Sequence, residues 1–386
     1  MSAPKQKGSE PPAAPVLTSG PPEGEAGGIL SIDLAAIAGN WRLLARRVAP
    51  AECAAVIKAD AYGCGLEPVT KTLVDAGCRT FFVALVQEAR RVRLLAPGAV
   101  IYVLNGIVPG FSPAFAEVNA RPVIGSLPEL TEWEAFVAAS GWQGGAALHV
   151  DTGMNRLGLS MDEAAEVARR DAAKHQSLKL LISHFACSEQ QTHPLNTEQV
   201  KRFSELRALF PGVAASLANS SGIFLSPDAH GDLVRPGVAL YGGNPTPTGQ
   251  NPMHPVLELR ACILQIRNVA AGASVGYGAT WSAPRPSRIA ILGAGYADGY
   301  LRAAEVPSAR HVVVAGRRCP LVGRVSMDLF AVDVTDIPES QVARGDYATL
   351  IGDGLDLDEV AAQAGTISYE MLTSLGRRYA RQYKGG

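Results

Sequence analysis

The sequence predicts an α/β protein: an N-terminal (β/α)8 TIM-type barrel followed by a C-terminal, mainly antiparallel β domain. Two observations carry that reading. About eight short apolar runs alternate with amphipathic stretches between residues 54 and 242. After about residue 245 the pattern changes to polar/apolar alternation broken by turns. Apolar runs without alternation fit parallel strands buried on both faces, whereas alternation fits an antiparallel sheet with one wet face.

The elements follow in chain order. Residues 1–27 are rich in Pro, Gly, Ser and Ala with no periodicity, and read as a disordered leader. The barrel is expected over 28–250. SIDLAAIAGNWRLLARRVA (31–49) reads as a helix entered through a Ser/Asp cap. The strands are AAVIKAD (54–60), FFVAL (81–85), VIYVLNG (100–106), RPVIG (121–125), AALHVD (146–151), LKLLISHF (178–185), ASLANS (215–220) and VRPGVALYG (234–242). Helical patterns at 66–77, 128–140, 161–175 and 196–210 lie between them. Eight strand–helix units favour a closed barrel over an open doubly wound sheet. NPTPTGQNPMHP (244–255) reads as a linker, and 251–386 as the β domain, its final stretch from 356 helical.

Composition excludes several classes. With 47% hydrophobic and 18% charged residues, the 386-residue chain can build a sizeable core in two domains. A net charge of −1 gives no general attraction to nucleic acid or anionic lipid. No apolar run approaches the ~20 residues of a membrane span. The six cysteines form no C-x-x-C pair, so no metal site is expected. The N-terminus has no apolar h-region, so the cytoplasm is the expected location.

In a parallel barrel the active site sits at the C-terminal ends of the strands. Polar residues just after each apolar run are therefore candidates: Lys58 and Tyr62, Asp151 to Arg156, His184, Asn219 to Ser221, Arg235 and Tyr241. This set offers cations and hydroxyls to an anionic ligand. A lysine among apolar neighbours loses proton affinity by desolvation and becomes a nucleophilic amine. The bland alternative is a lysine capping a strand at the surface, and position alone favours it. Gly-rich turns near NSSG (219–222) and RPG (235–237) fall where barrels often hold phosphate. GAGYADG (293–299) lacks the full dinucleotide fingerprint, and no H-E-x-x-H pair is present.

Nine segments in order resemble alanine racemase: AVIKADAYGCG (55–65), HVDTGMNRLGL (149–159), SHFACSE (183–189), ANSSG (218–222), VRPGVALYG (234–242), VGYGATW (275–281), GYADGY (295–300), GRVSMD (323–328) and ISYE (367–370). The resemblance spans nearly all of the chain after the leader. It implies an enzyme dependent on pyridoxal 5′-phosphate (PLP) that interconverts L- and D-alanine and supplies D-alanine for peptidoglycan. It also implies residue roles. Lys58 matches the lysine that bonds PLP. Tyr62, Ser220, Gly237, Val238 and Tyr369 match phosphate-binding positions. His184 and Arg235 match a pair near the cofactor ring. Arg156 and Met327 match positions that receive the substrate carboxylate, Met327 through its backbone N–H. Tyr277 matches the second catalytic base. In that family Tyr277 and Met327 reach the site from the partner subunit of a homodimer.

One position departs from the family. Many members carry a lysine two residues before the aspartate of D-T-G-M, where a carbamate forms; here that residue is His149, so no such carbamate is expected. The rival readings are a broader-specificity amino-acid racemase, a non-catalytic PLP-binding barrel, a barrel-type decarboxylase and a Schiff-base aldolase. The C-terminal β domain argues against the bare barrel, and GRVSMDLF lacks the cysteine motif of the decarboxylases.

Overall fold

The computed structural model describes residues 17–170, 177–247, 249–302 and 310–386. Eight parallel strands form the first unit: β1 (Ala55–Val56), β2 (Thr80–Val83), β3 (Val100–Val103), β4 (Arg121–Ile124), β5 (Ala146–His149), β6 (Leu178–Ile182), β7 (Ala214–Ser216) and β8 (Leu233–Val234). β1 to β7 pair in sequential order in one sheet. β8 pairs in parallel with Glu52–Cys53, just ahead of β1. Ala54 N donates to Val234 O at 3.0 Å, and Arg235 N donates to Ala218 O beyond β7 at 2.9 Å. These bonds close the ring, as expected for a (β/α)8 barrel. Its walls are apolar on both faces; Phe81, Phe82, Ile101, Ile124, Leu148 and Leu181 are all fully buried.

The observed strands are shorter than the sequence reading at their C-terminal ends. Each apolar run carries on for a few residues, but the backbone leaves the ladder to build loops over the barrel mouth. The last run shows this best: after Leu233–Val234 it becomes a short 3-10 helix at Val238–Tyr241. Helices cover the outside, among them Leu66–Ala76, Leu127–Ser140, Met161–Ala168 and Pro194–Leu209. Residues 171–175 of the expected 161–175 helix lie outside the described residues.

The N-terminal part departs further from expectation. The helix begins at Leu34, with Asp33 Oδ1 accepting from Ala36 N at 2.8 Å. Residues 28–33, expected as helix start and barrel, instead form a strand of the C-terminal sheet. Five of those six residues are buried, a pattern no exposed cap would give. Of the expected disordered leader, residues 1–16 lie outside the described residues. Leu17–Ser19, within its remainder, form a strand antiparallel to Ala380–Lys384.

The second unit is a nine-stranded, mainly antiparallel sheet among the described residues. Its spine is the 13-residue strand Leu257–Val269, which pairs with Gly28–Asp33, Ser287–Leu292 and Tyr347–Ile351. The hairpin His311–Val314/Arg317–Val322 turns on Ala315 and Gly316, both at positive φ (48° and 73°), the geometry that continues strand twist. The end of the chain is only partly helical. Helices Leu357–Gln363 and Ser368–Ser374 form, but Ala380–Lys384 is a strand parallel to residues 29–33. Burial of Tyr379, Ala380, Arg381 and Tyr383 against the sheet overrides the helical reading of that stretch. No helix among the described residues is long and apolar enough to cross a membrane.

Candidate active site

A cavity of about 680 Å³ opens at the C-terminal ends of the barrel strands, walled on one side by the helix Ser368–Ser374. Lys58, Tyr62, Arg156, His184, Ser220, Arg235, Gly237, Val238 and Tyr369 all line it. Tyr277 and Met327 do not; they sit on a different surface of the same chain, 74% and 53% exposed.

Lys58 lies two residues after β1, and the next four residues, Ala59 to Tyr62, have φ of 53–55°. A left-handed turn of non-glycine residues costs about 1–2 kcal/mol per residue, so the surroundings must hold it. Glu88 does so from the helix Val86–Leu95, accepting from Ala59 N at 2.7 Å and, at its own helix start, from Ala84 N and Leu85 N at 2.8 and 3.1 Å. Asp60 accepts from Leu66 N at 3.1 Å and is paired with Arg91 at 2.9 Å. The turn carries Lys58 at the cavity wall and Tyr62 beneath it. Desolvation, then the positive charge of Arg156, lowers the Lys58 pKa, while Glu88 opposes them.

The floor is cationic. Arg235 is buried and has no carboxylate partner among the described residues; its guanidinium donates to Ser183 O at 2.6 Å, to Ser216 Oγ at 2.5 Å and to Leu217 O at 3.3 Å. Burial lowers its pKa, yet an arginine stays protonated at neutral pH. Its Nη2 also lies 3.4 Å from His184 Nδ1, which must accept because arginine only donates. Burial and then Arg235 push His184 down to about 3, and the same two causes push His149 down to about 4. Both imidazoles are therefore neutral at pH 7.

That neutrality has a consequence for stability. Both histidines bind protons less well folded than unfolded, so stability is complete above the unfolded value near ~6.5 and is lost as pH falls toward the folded values. Thermal melts of the apoprotein should show a falling midpoint from about pH 6.5 to pH 4. His149→Gln should flatten that slope, removing acid sensitivity on the order of 3 kcal/mol.

A cradle lies on the opposite wall. Ser220 Oγ accepts from Gly237 N at 2.9 Å and Ala239 N at 3.2 Å. A Cβ on Gly237 would lie 2.3 Å from the Tyr62 hydroxyl, so only glycine lets that ring and this backbone meet. Tyr62 stacks on Tyr241 with ring centroids 4.7 Å apart and sits 6.1 Å from Tyr369. Tyr241, a candidate from the sequence, is not part of the wall; its hydroxyl donates to Val56 O at 3.0 Å and supports Tyr62 from below. Together Ser220, the backbone at Gly237 and Val238, and the hydroxyls of Tyr62 and Tyr369 make a cradle suited to an anionic group.

Arg156 reaches the cavity from the loop after β5. Asp151 folds that loop by accepting from Gly153 N, Met154 N and Asn155 N at 2.7–2.8 Å, and Asn155 takes a φ of 56°. Arg156 itself makes no hydrogen bond or ion pair among the described residues, leaving its full fork for a carboxylate. His149 lines the same wall as Arg156. The described residues contain no cluster able to hold a metal ion.

Tyr277 lines a separate apolar cleft of about 390 Å³ on the C-terminal unit, with Val275, Arg324 and Leu329. Sequence reasoning missed Glu88 altogether, since a glutamate inside a helical pattern gives no sign that it holds a strained turn. It also missed Asn105, although the strand-end rule applied to VIYVLNG selects it.

A family model for "Alanine racemase, N-terminal domain" matches residues 32–245, and one for "Alanine racemase, C-terminal domain" matches residues 256–383. The chain is 55% identical to an alanine racemase of Methylobacterium sp. (strain 4-46), over 92% of this chain and 98% of that one. It is 52% identical to an alanine racemase of Methylobacterium nodulans, over 93% and 97%. Among solved structures, alanine racemase from Bartonella henselae with covalently bound pyridoxal phosphate superposes with a TM-score of 0.88 at 38% identity, over 93% of this chain and 99% of that one.

Proposed function

The chain belongs to the alanine racemase family and is an isomerase, and from that premise we propose that it racemises alanine by a two-base mechanism with PLP bonded to Lys58. The observation that carries the proposal is the cavity itself. A desolvated lysine, a buried arginine, a neutral histidine and a glycine-built anion cradle converge there, and a free arginine stands at its edge.

The residues fit the cofactor. Ser220 and Gly237 line the cavity beside Tyr62, and the bare backbone at Gly237 leaves room that any side chain would fill. Lys58 would bond the aldehyde; Tyr62, Ser220, Gly237, Val238 and Tyr369 would hold the phosphate. His184 and Arg235 would face the ring. When bound, PLP withdraws electrons from the substrate Cα and so acidifies its proton.

The chain's own groups do the rest. Arg156 takes the substrate carboxylate and so fixes which Cα bond faces each base. Lys58 Nζ, its pKa lowered by burial and by Arg156, takes or returns the proton on one face, serving D-alanine. The partner subunit's Tyr277 would serve the other face, for L-alanine, and the partner's Met327 would donate its backbone N–H to the carboxylate. In support, both side chains are exposed on their own subunit, and neither lines its own cavity. Arg235 carries a positive charge where most PLP enzymes place a carboxylate. It would disfavour a protonated ring nitrogen and so restrain side reactions.

We further propose a cytoplasmic homodimer that supplies D-alanine for peptidoglycan. The activity is tested with the PLP-loaded protein, a panel of L-amino acids and chiral product analysis. Racemisation confined to alanine, with weak turnover of serine, is expected; comparable rates on larger side chains would favour a broader-specificity racemase.

A further inference from the structure

We propose that Arg378 is a positioning residue for the substrate carboxylate: it clamps Asp298 and Asp328 together and so sets the backbone N–H of Met327 that the partner's site receives. This rests on the reading of Met327 given above. Two loops meet at this point. One holds the short 3-10 helix Tyr296–Asp298; the other, Ser326 to Leu329, lies between strands Arg317–Val322 and Phe330–Asp333.

The first loop binds the second by its main chain. Tyr296 N donates to Ser326 O at 3.1 Å, and Ala297 N donates to Met327 O at 3.0 Å. A Cβ on Gly295 would fall 2.2 Å from Met327 O, so the contact requires glycine. The Met327 carbonyl is thus occupied, while its N–H has no acceptor among the described residues and the residue is exposed. A free, fixed N–H is a suitable donor to an anion.

Arg378 locks both loops. Nε and Nη2 grip the two oxygens of Asp298 at 2.6 and 2.9 Å, and Nη1 and Nη2 both donate to Asp328 Oδ1 at 2.9 Å. Asp298 is buried and also accepts from Gly295 N at 2.9 Å, so the fork is anchored at one end. Asp328, next to Met327 in the chain, is the exposed end. A planar fork spanning two carboxylates fixes their separation in a way a point charge does not. Arg378 also lies four residues beyond the helix that carries Tyr369 to the cavity wall. It touches no substrate; it acts through Met327.

The test exploits a difference in sign. Asp328→Ala removes an exposed negative charge beside an anion site, so electrostatics alone would tighten carboxylate binding. Loss of the clamp would loosen it. The probe is propionate, which has alanine's carboxylate and methyl but no amine, titrated as a competitive inhibitor of the PLP-loaded dimer. We expect Asp328→Ala to raise the propionate inhibition constant about tenfold, and the alanine KM with it, leaving PLP affinity and dimer mass unchanged. Arg378→Lys, which keeps a cation on Asp298 but loses the fork, should do the same. An unchanged or lower inhibition constant in Asp328→Ala overturns the clamp. Met327→Pro, which deletes the N–H, separates the two readings. If it leaves propionate binding unaltered, the Met327 role itself is wrong; if it weakens binding while Asp328→Ala does not, only the clamp is wrong.

Discussion

Lys58→Ala is expected to abolish racemisation, with a loss of at least about 10⁴-fold, because in the proposed mechanism one residue supplies both the bond to the cofactor and one of the two bases. The purified variant should lose the covalent attachment of PLP, seen as the absence of a borohydride-stable adduct at residue 58 in a peptide mass map. The fold should survive. Lys58 sits at the start of a turn held by Glu88, Asp60 and main-chain bonds, none of which uses its amine. An unaltered melting temperature beside a dead enzyme is therefore the expected pair of results. Retention of racemase activity within tenfold of the parent would remove Lys58 from the chemistry.

Tyr277→Phe carries the second large effect, a fall of about 10²–10⁴ in racemisation, while PLP should remain bonded. The loss should be lopsided. With Lys58 intact, the α-proton of D-alanine still exchanges with solvent deuterium, whereas that of L-alanine does not. Equal exchange from both enantiomers would contradict the assignment of faces. The hydroxyl makes no hydrogen bond among the described residues, and the ring is exposed. A drop in stability is accordingly not expected.

Much of this was legible in the sequence, for identifiable reasons. Barrel strands such as TFFV and VIYV are buried on both faces, and unbroken apolar runs announce them. Several of the polar residues that end those runs line the cavity, so Lys58, His184 and Arg235 could be picked before any resemblance was considered. Strand ends were overestimated for the same reason: the chain leaves the ladder where it begins to serve the site. Two features were hidden. The strand Gly28–Asp33 pairs with residues more than 200 positions away, and no local pattern encodes such pairing. The left-handed turn at Ala59–Tyr62 contains no glycine, so propensity pointed away from it; main-chain bonds and contacts from Glu88, Asp60 and Arg381 hold it.

The placement of Tyr277 and Met327 also gave no sequence signal of its own. In one chain they lie on an exposed face, with the apolar cleft around Val275 and Leu329 beside them. The claim that this face completes a second subunit's cavity is the centre of the account. A heterodimer of one Lys58→Ala chain and one Tyr277→Phe chain, each with its own affinity tag and isolated through both, tests it most directly. In a two-fold dimer one of its two sites would combine an intact Lys58 with an intact Tyr277 from the other chain. The purified heterodimer should then recover about half of the wild-type activity per dimer, although both parent homodimers are inactive. A heterodimer as inactive as its parents would show that Lys58 and Tyr277 do not meet across subunits.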